Sequence, residues 1–100
     1  MLKQLMFDLT GFQRDLLYCI AGEQEPYGLG INRALESYRS IEVNTGRLYT
    51  NLNTLVEKGY VVKGSIDSRT NSYELTAEGQ KLLVERQEWE ADRLPKTRTT

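Results

Sequence analysis

The residues best equipped for chemistry lie together, between Asn44 and Asn71. Asn44, Thr45, Arg47, Tyr49, Thr50 and Asn51 crowd amide, hydroxyl and guanidinium groups into one short run. Leu48, Leu52, Leu55 and Val56 pass through that run at helical spacing. A helix built this way hides its leucines and turns Arg47, Thr50, Asn51, Thr54 and Lys58 outward, with Tyr49 on the flank. Side chains of these types hydrogen-bond to base edges and to phosphates. Arg47 stands in the first turn, where it can reach a guanine edge or a phosphate; a solvated arginine is the plainer alternative. Asn44 and Thr45 could cap the helix as readily as touch a ligand. Tyr49 could bond a phosphate or pack beside Tyr60. Lys58, near the helix C-terminus, complements the helix dipole.

Glycine at position 59 stops this helix, and the apolar period then changes to two. Tyr60 to Ile66 reads as a strand and Ser72 to Leu75 as its partner, with Asp67 to Asn71 as the polar tip. Arg69 at the tip and Lys63 on the strand leading to it suit phosphate or minor-groove contact, although basic tips are also ordinary soluble turns. Ile41-Glu42-Val43 could add a short third strand. A polar-faced helix feeding a basic hairpin outlines an α+β winged helix-turn-helix, a unit that sets one helix in the major groove of double-stranded DNA.

The remaining elements must hold that unit. Thr10 and Gln13 make a capping-box pattern at the head of a first helix. Phe12, Leu16, Cys19 and Ile20 share one of its faces with Leu17 beside them, and Gly22 ends it. Before it, Met1 to Leu9 could dock on the core or on a second subunit. After it, Glu23 to Pro26 is a polar connection. A second helix, from about Gly28 to Tyr38, has Ile31, Ala34, Leu35 and Tyr38 as its buried stripe. Gly28 and Gly30 permit close packing against a neighbouring helix. Thr76 caps a last helix from Ala77 to about Arg93, followed by Pro95 and a short tail. Its apolar content is thin (Leu82, Leu83, Val84, Trp89 and Leu94, with the Arg86 stem in line), and nothing in residues 1–75 needs so long a helix for a lid. A narrow apolar face of this kind usually packs on its counterpart in a second chain. The expected division is a winged-helix domain over residues 1–76, a dimerisation helix over 77–94 and a disordered tail over 95–100.

Composition narrows the alternatives. One hundred residues make one domain with a small core, which a partner subunit would help to complete. The absence of histidine removes a conventional triad or imidazole base. With one cysteine besides, a transition-metal site within the chain is improbable, and an internal disulfide is excluded. Gly28-Leu29-Gly30 lacks the preceding strand and the spacing of a phosphate loop. Catalysis, metal and cofactor are therefore not expected. No apolar run reaches the length of a membrane span and no secretory signal opens the chain, so a cytoplasmic location follows as the default. The net charge is only −1, yet residues 44–71 carry four bases against two acids while both flanks are net negative. That is the sign expected of a DNA-facing surface. Cys19 is most simply a core residue, because a redox switch would need an exposed or low-pKa thiol.

Several motifs carry a family resemblance: Pro26-Tyr27-Gly28, Gly46-Arg47-Leu48-Tyr49, Leu52 with Leu55, Gly59-Tyr60-Val61, Arg69 to Tyr73, and Leu75-Thr76-Ala77-Glu78-Gly79. From about Leu9 to Gln87 the chain resembles the PadR-like winged-helix transcription regulators. The resemblance implies a homodimeric DNA-binding regulator, most members being repressors, that engages a pseudo-palindromic operator. Thr50 departs from the proline usual after the tyrosine, and Tyr27 from a common histidine. The chain also lacks the all-helical second domain of longer members, so it resembles the short form that dimerises through one terminal helix. On this reading Leu82, Leu83, Arg86 and Trp89 form the subunit contact. Two rival readings remain at this point. One is a winged helix whose reading face binds protein. The other is a ligand-sensing regulator in which Trp89 walls a site for a small aromatic effector.

Overall fold

The computed structural model describes residues 9–23 and 27–94. The expectations for Met1 to Asp8, for Gln24 to Pro26 of the connection and for the tail over 95–100 lie outside the described residues. Four helices and one hairpin follow in order: α1 (Gly11–Gly22), α2 (Gly28–Arg39), α3 (Thr45–Glu57), β1 (Val61–Ser65), β2 (Asn71–Leu75) and α4 (Ala77–Arg93). This is the α+β winged-helix arrangement.

α1, α3 and α4 each start at a side-chain cap, whereas Tyr27 gives α2 none. The Thr10 hydroxyl accepts from the Gln13 N–H at 3.0 Å, and the Gln13 side chain accepts from the Thr10 N–H at 3.1 Å, closing the capping box of α1. The Asn44 side-chain oxygen Oδ1 accepts from the Arg47 N–H and so caps α3. At the other end of α3, Gly59 takes φ +85, which lets its N–H reach the Val56 carbonyl and the Tyr60 N–H reach that of Leu55. Those paired bonds are a Schellman ending, and Tyr60 then packs in the same core as Leu55.

Leu48, Leu52 and Leu55 are fully buried with Leu16, Leu17, Ile31 and Leu35 from the first two helices. Burying each such side chain stabilises the fold by about 1.5–3 kcal/mol, so three aligned leucines fix which face of α3 looks inward. β1 and β2 pair antiparallel, with Val61 opposite Leu75 and Ser65 opposite Asn71. The strands are each slightly shorter or longer than the apolar pattern alone implies, because pairing begins only past Tyr60, whose backbone is engaged with α3 and Thr76.

Thr76 joins three elements. Its hydroxyl donates to the Gly59 carbonyl at 2.7 Å and accepts from the Gly79 N–H at 3.0 Å, and its own N–H donates to the Tyr60 carbonyl at 3.1 Å. A Cβ on Gly79 would overlap that Tyr60 carbonyl. The Leu-Thr-x-x-Gly motif is thus a weld between the end of α3, the root of the hairpin and the first turn of α4.

Two expectations are corrected. Ile41 to Val43 is not a strand. Ser40 turns left-handed at φ 60, and the Val43 N–H donates to the Glu36 carboxylate at 2.7 Å, leaving no ladder bond to make. The place beside β2 is instead taken by Tyr27, which forms an isolated bridge with Ser72. Tyr38 does not extend the buried stripe of α2. It is 75% exposed, because no neighbouring element covers that point of the helix.

Candidate nucleic-acid interface

α3 presents Asn44, Thr45, Arg47, Tyr49 and Thr50 on its exposed side, with Asn51 half-buried at the edge. The Asn44 side-chain oxygen is committed to the cap, and its amide N–H groups are not used there. Thr50 leaves the helix regular: its carbonyl accepts from the Thr54 hydroxyl at 3.1 Å, and its N–H remains available where proline would have none.

The Arg47 guanidinium does not wave in solvent. It lies 4.0 Å from the centre of the Phe12 ring, which α1 holds buried in the core. Stacking of this kind uses the face of the guanidinium and leaves its N–H edge outward. Arg39 approaches the same ring at 5.6 Å and pairs with Asp15 at 3.5 Å.

Asn51 is held from both ends. Its amide nitrogen donates to the Arg47 carbonyl at 2.8 Å, and its oxygen accepts from the Gln13 amide at 3.0 Å. Gln13 itself is only 8% exposed. Neither Phe12 nor Gln13 was expected at the interface; in sequence they read as core and cap, and nothing in their spacing foretells a contact with α3.

Tyr49 packs on the first turn of α2. A Cβ on Gly28 would overlap the Tyr49 hydroxyl and come within 2.7 Å of its ring carbon Cζ. The close approach expected of Gly28 is therefore real, and its partner is this tyrosine. The same tyrosine borders a cleft of about 520 Å³ lined also by Tyr27, Leu29, Ile66, Arg69 and Asn71. Arg69 on the hairpin tip and Tyr49 on α3 thus face a common opening. Tyr73, buried at the root of that region, has its hydroxyl pKa raised by burial first and by the nearby Tyr49 second.

The tip is a fixed turn. The Asp67 carboxylate accepts from the N–H groups of Arg69 at 2.8 Å and Thr70 at 2.9 Å, and the Ile66 N–H donates to the Thr70 carbonyl at 2.8 Å. The bond from the Arg69 N–H is the main reason the Asp67 pKa falls below the usual carboxylate value. Lys63 is exposed on β1 opposite Tyr73.

On α4 the expected subunit contact divides. Leu82 and Leu83 are 0% and 5% exposed and belong to the chain's own core, so they are not surface for a partner. Arg86 and Trp89 lie farther along. The guanidinium groups of Arg86 and Arg93 sit 4.8 and 4.7 Å from the Trp89 ring, and Arg86 pairs with Glu90 at 3.0 Å. Val84 on the same helix and Leu94 at its C-cap are exposed. Cys19 is half-buried, and burial, with the charges of Asp15 and Glu23, pushes its thiol pKa up to about 11. Among the described residues no cluster of metal-ligating side chains occurs, and no helix is long and apolar enough to cross a membrane.

Residues 16–85 match the profile of the transcriptional regulator PadR-like family. A complex structure of RosR from H. salinarum is similar at 49% identity, with TM-score 0.83 over 88% of this chain and 78% of that one. A PadR-like transcription factor from Bacteroides fragilis shares the fold at 20% identity, with TM-score 0.68 over 82% of each chain. The MepR–DNA complex of S. aureus shares it at 21% identity, with TM-score 0.64 over 94% of this chain and 72% of that one. No curated protein matches the sequence.

Proposed function

Since the chain belongs to the PadR-like family of transcriptional regulators, we propose that it represses transcription by binding a pseudo-palindromic DNA operator as a cytoplasmic homodimer. α3 enters the major groove, where Arg47 reads a base edge and Thr45 and Thr50 line the groove wall. Asn44, Tyr49, Lys63 and Arg69 bond the backbone and set the register. The carrying observation is that Tyr49 and Arg69 border one cleft. Helix and hairpin then address one duplex from the same side. MepR, of the same fold, is described in complex with DNA.

The dimer forms through the distal part of α4. Leu82 and Leu83 anchor the helix in its own domain, and Val84, Arg86, Trp89 and Leu94 supply the seam. Two copies joined there engage half-sites one helical turn apart, roughly 34 Å.

A gel-shift titration on a random-sequence duplex at rising salt tests the DNA reading. Affinity should fall steeply and log-linearly with salt, because each phosphate contact releases counterions. Absence of binding, or binding indifferent to salt, would reject DNA as the partner and favour a protein on this face.

A further inference from the structure

We infer that the first turn of α1 sets the sequence selectivity of α3: Gln13, through Asn51, and Phe12, under Arg47, are positioning residues for base readout. This rests on the DNA-binding function proposed above, and it assigns Asn51 away from base contact.

The hydrogen-bond chain has a direction. The Thr10 N–H can only donate, so the Gln13 oxygen faces it and the Gln13 amide nitrogen faces Asn51. The Arg47 carbonyl can only accept, so the Asn51 nitrogen faces it and the Asn51 oxygen faces Gln13. Backbone groups at the two ends therefore fix both amide orientations. An asparagine that reads adenine must offer its oxygen and its nitrogen together to one base edge. Here the oxygen is held by α1 and the nitrogen by its own helix. Asn51 is thus a strut, and its load is the backbone of Arg47.

The same arginine is steadied at its other end. Its guanidinium rests on the Phe12 ring at 4.0 Å, and Phe12 adjoins Gln13 in the chain. Two consecutive residues of α1 consequently steady one residue of α3, Gln13 its backbone carbonyl through Asn51 and Phe12 its guanidinium. An arginine free to sample its rotamers would lose entropy on meeting a base, and it would meet several bases almost equally well. One held at both ends reads a single position. α1 need not touch DNA to decide which base is preferred.

Gln13→Glu separates this role from the cap. Glutamate still accepts from the Thr10 N–H, as in the usual capping box, but it cannot donate to Asn51. The experiment selects bound sequences from a randomised duplex pool with the whole protein and compares enrichment per position for wild type, Gln13→Glu, Asn51→Ala and Arg47→Ala. Enrichment is a ratio to the unselected pool, so a uniform loss from the added charge cancels. Arg47→Ala should abolish preference at one base step per half-site. Gln13→Glu and Asn51→Ala should each lower preference at that same step by roughly three- to tenfold and leave other steps unchanged, a part of the discrimination one arginine–guanine pair supplies. In the Arg47→Ala background Gln13→Glu should change nothing further.

An unaltered profile in Gln13→Glu would overturn the inference. So would a new preference lost only in Asn51→Ala, which would make Asn51 a reader. A wild-type protein that enriches no sequence would instead bring down the DNA-reading function, and the inference with it. Thermal melting of each variant accompanies the selection. A variant that melts early yet keeps the wild-type profile also counts against the positioning role.

Discussion

At Arg47 the guanidinium lies 4.0 Å from the centre of the Phe12 ring, so on the proposed reading truncation removes a positioned contact. Arg47→Ala should cost about 1–3 kcal/mol of operator binding and relax selectivity at one position, read by gel-shift titration. Cys19 has the opposite character. With its pKa raised to about 11 by burial, its thiolate is scarce at neutral pH. Alkylation by iodoacetamide at pH 8 should run roughly a hundredfold slower than for a free cysteine. A rate equal to that of a free thiol would reopen a redox role. Asp67 supplies a pH signature. Its carboxyl pKa is lowered in the fold, mainly by the Arg69 N–H. Its ordering of the tip is therefore complete above the usual carboxylate pKa and is lost as pH falls through the lowered one. Amide exchange at Arg69 and Thr70 should speed up in acid more than the pH dependence of exchange itself explains, and Asp67→Asn should flatten that excess.

Among the elements, the connections carry most of the strain and most of the surprises. Ser40 holds a left-handed φ of 60 without being glycine. Ser40→Gly should raise stability by about 0.5–1 kcal/mol, seen as a higher melting temperature. Gly79→Ala should lower it by about 1–3 kcal/mol, since the new methyl meets the Tyr60 backbone rather than a side chain that can move. What was legible in the sequence was local. Leu48, Leu52 and Leu55 mark the inner face of α3, Gly59 its end, and Thr10 with Gln13 the start of α1, because each rule acts within a few residues. The bridge from Tyr27 to Ser72 and the bond from Gln13 to Asn51 join residues 45 and 38 positions apart. Polar side chains have many possible partners, and only the packing of α1 on α3 selects one. Tyr38 failed for a related reason: periodicity says which way a residue points, not whether anything is there to cover it. Leu82 and Leu83 erred in the other direction, since the chain's own α1 and hairpin use the face assigned to a second subunit.

For the molecule as a whole, α4 has two halves with different obligations. The first is committed to the core through Gly79, Leu82 and Leu83, and the second carries Trp89 between Arg86 and Arg93. Sedimentation at micromolar concentration should report a dimer for the wild type. Trp89→Ala should weaken that dimer at least about tenfold with little change in melting temperature, as expected for an aromatic anchor outside the core. A monomeric wild type would discard the subunit seam while leaving the DNA-facing surface intact.

The three bonds of Thr76 carry a mechanical implication. Because that residue clasps the close of α3, the foot of the hairpin and the head of α4 at once, the terminal helix is a handle fixed to the elements proposed to face DNA. Any twist imposed on the handle, by a neighbouring subunit or a bound molecule, must reappear as a swing of Arg69, amplified by the length of the ribbon between them.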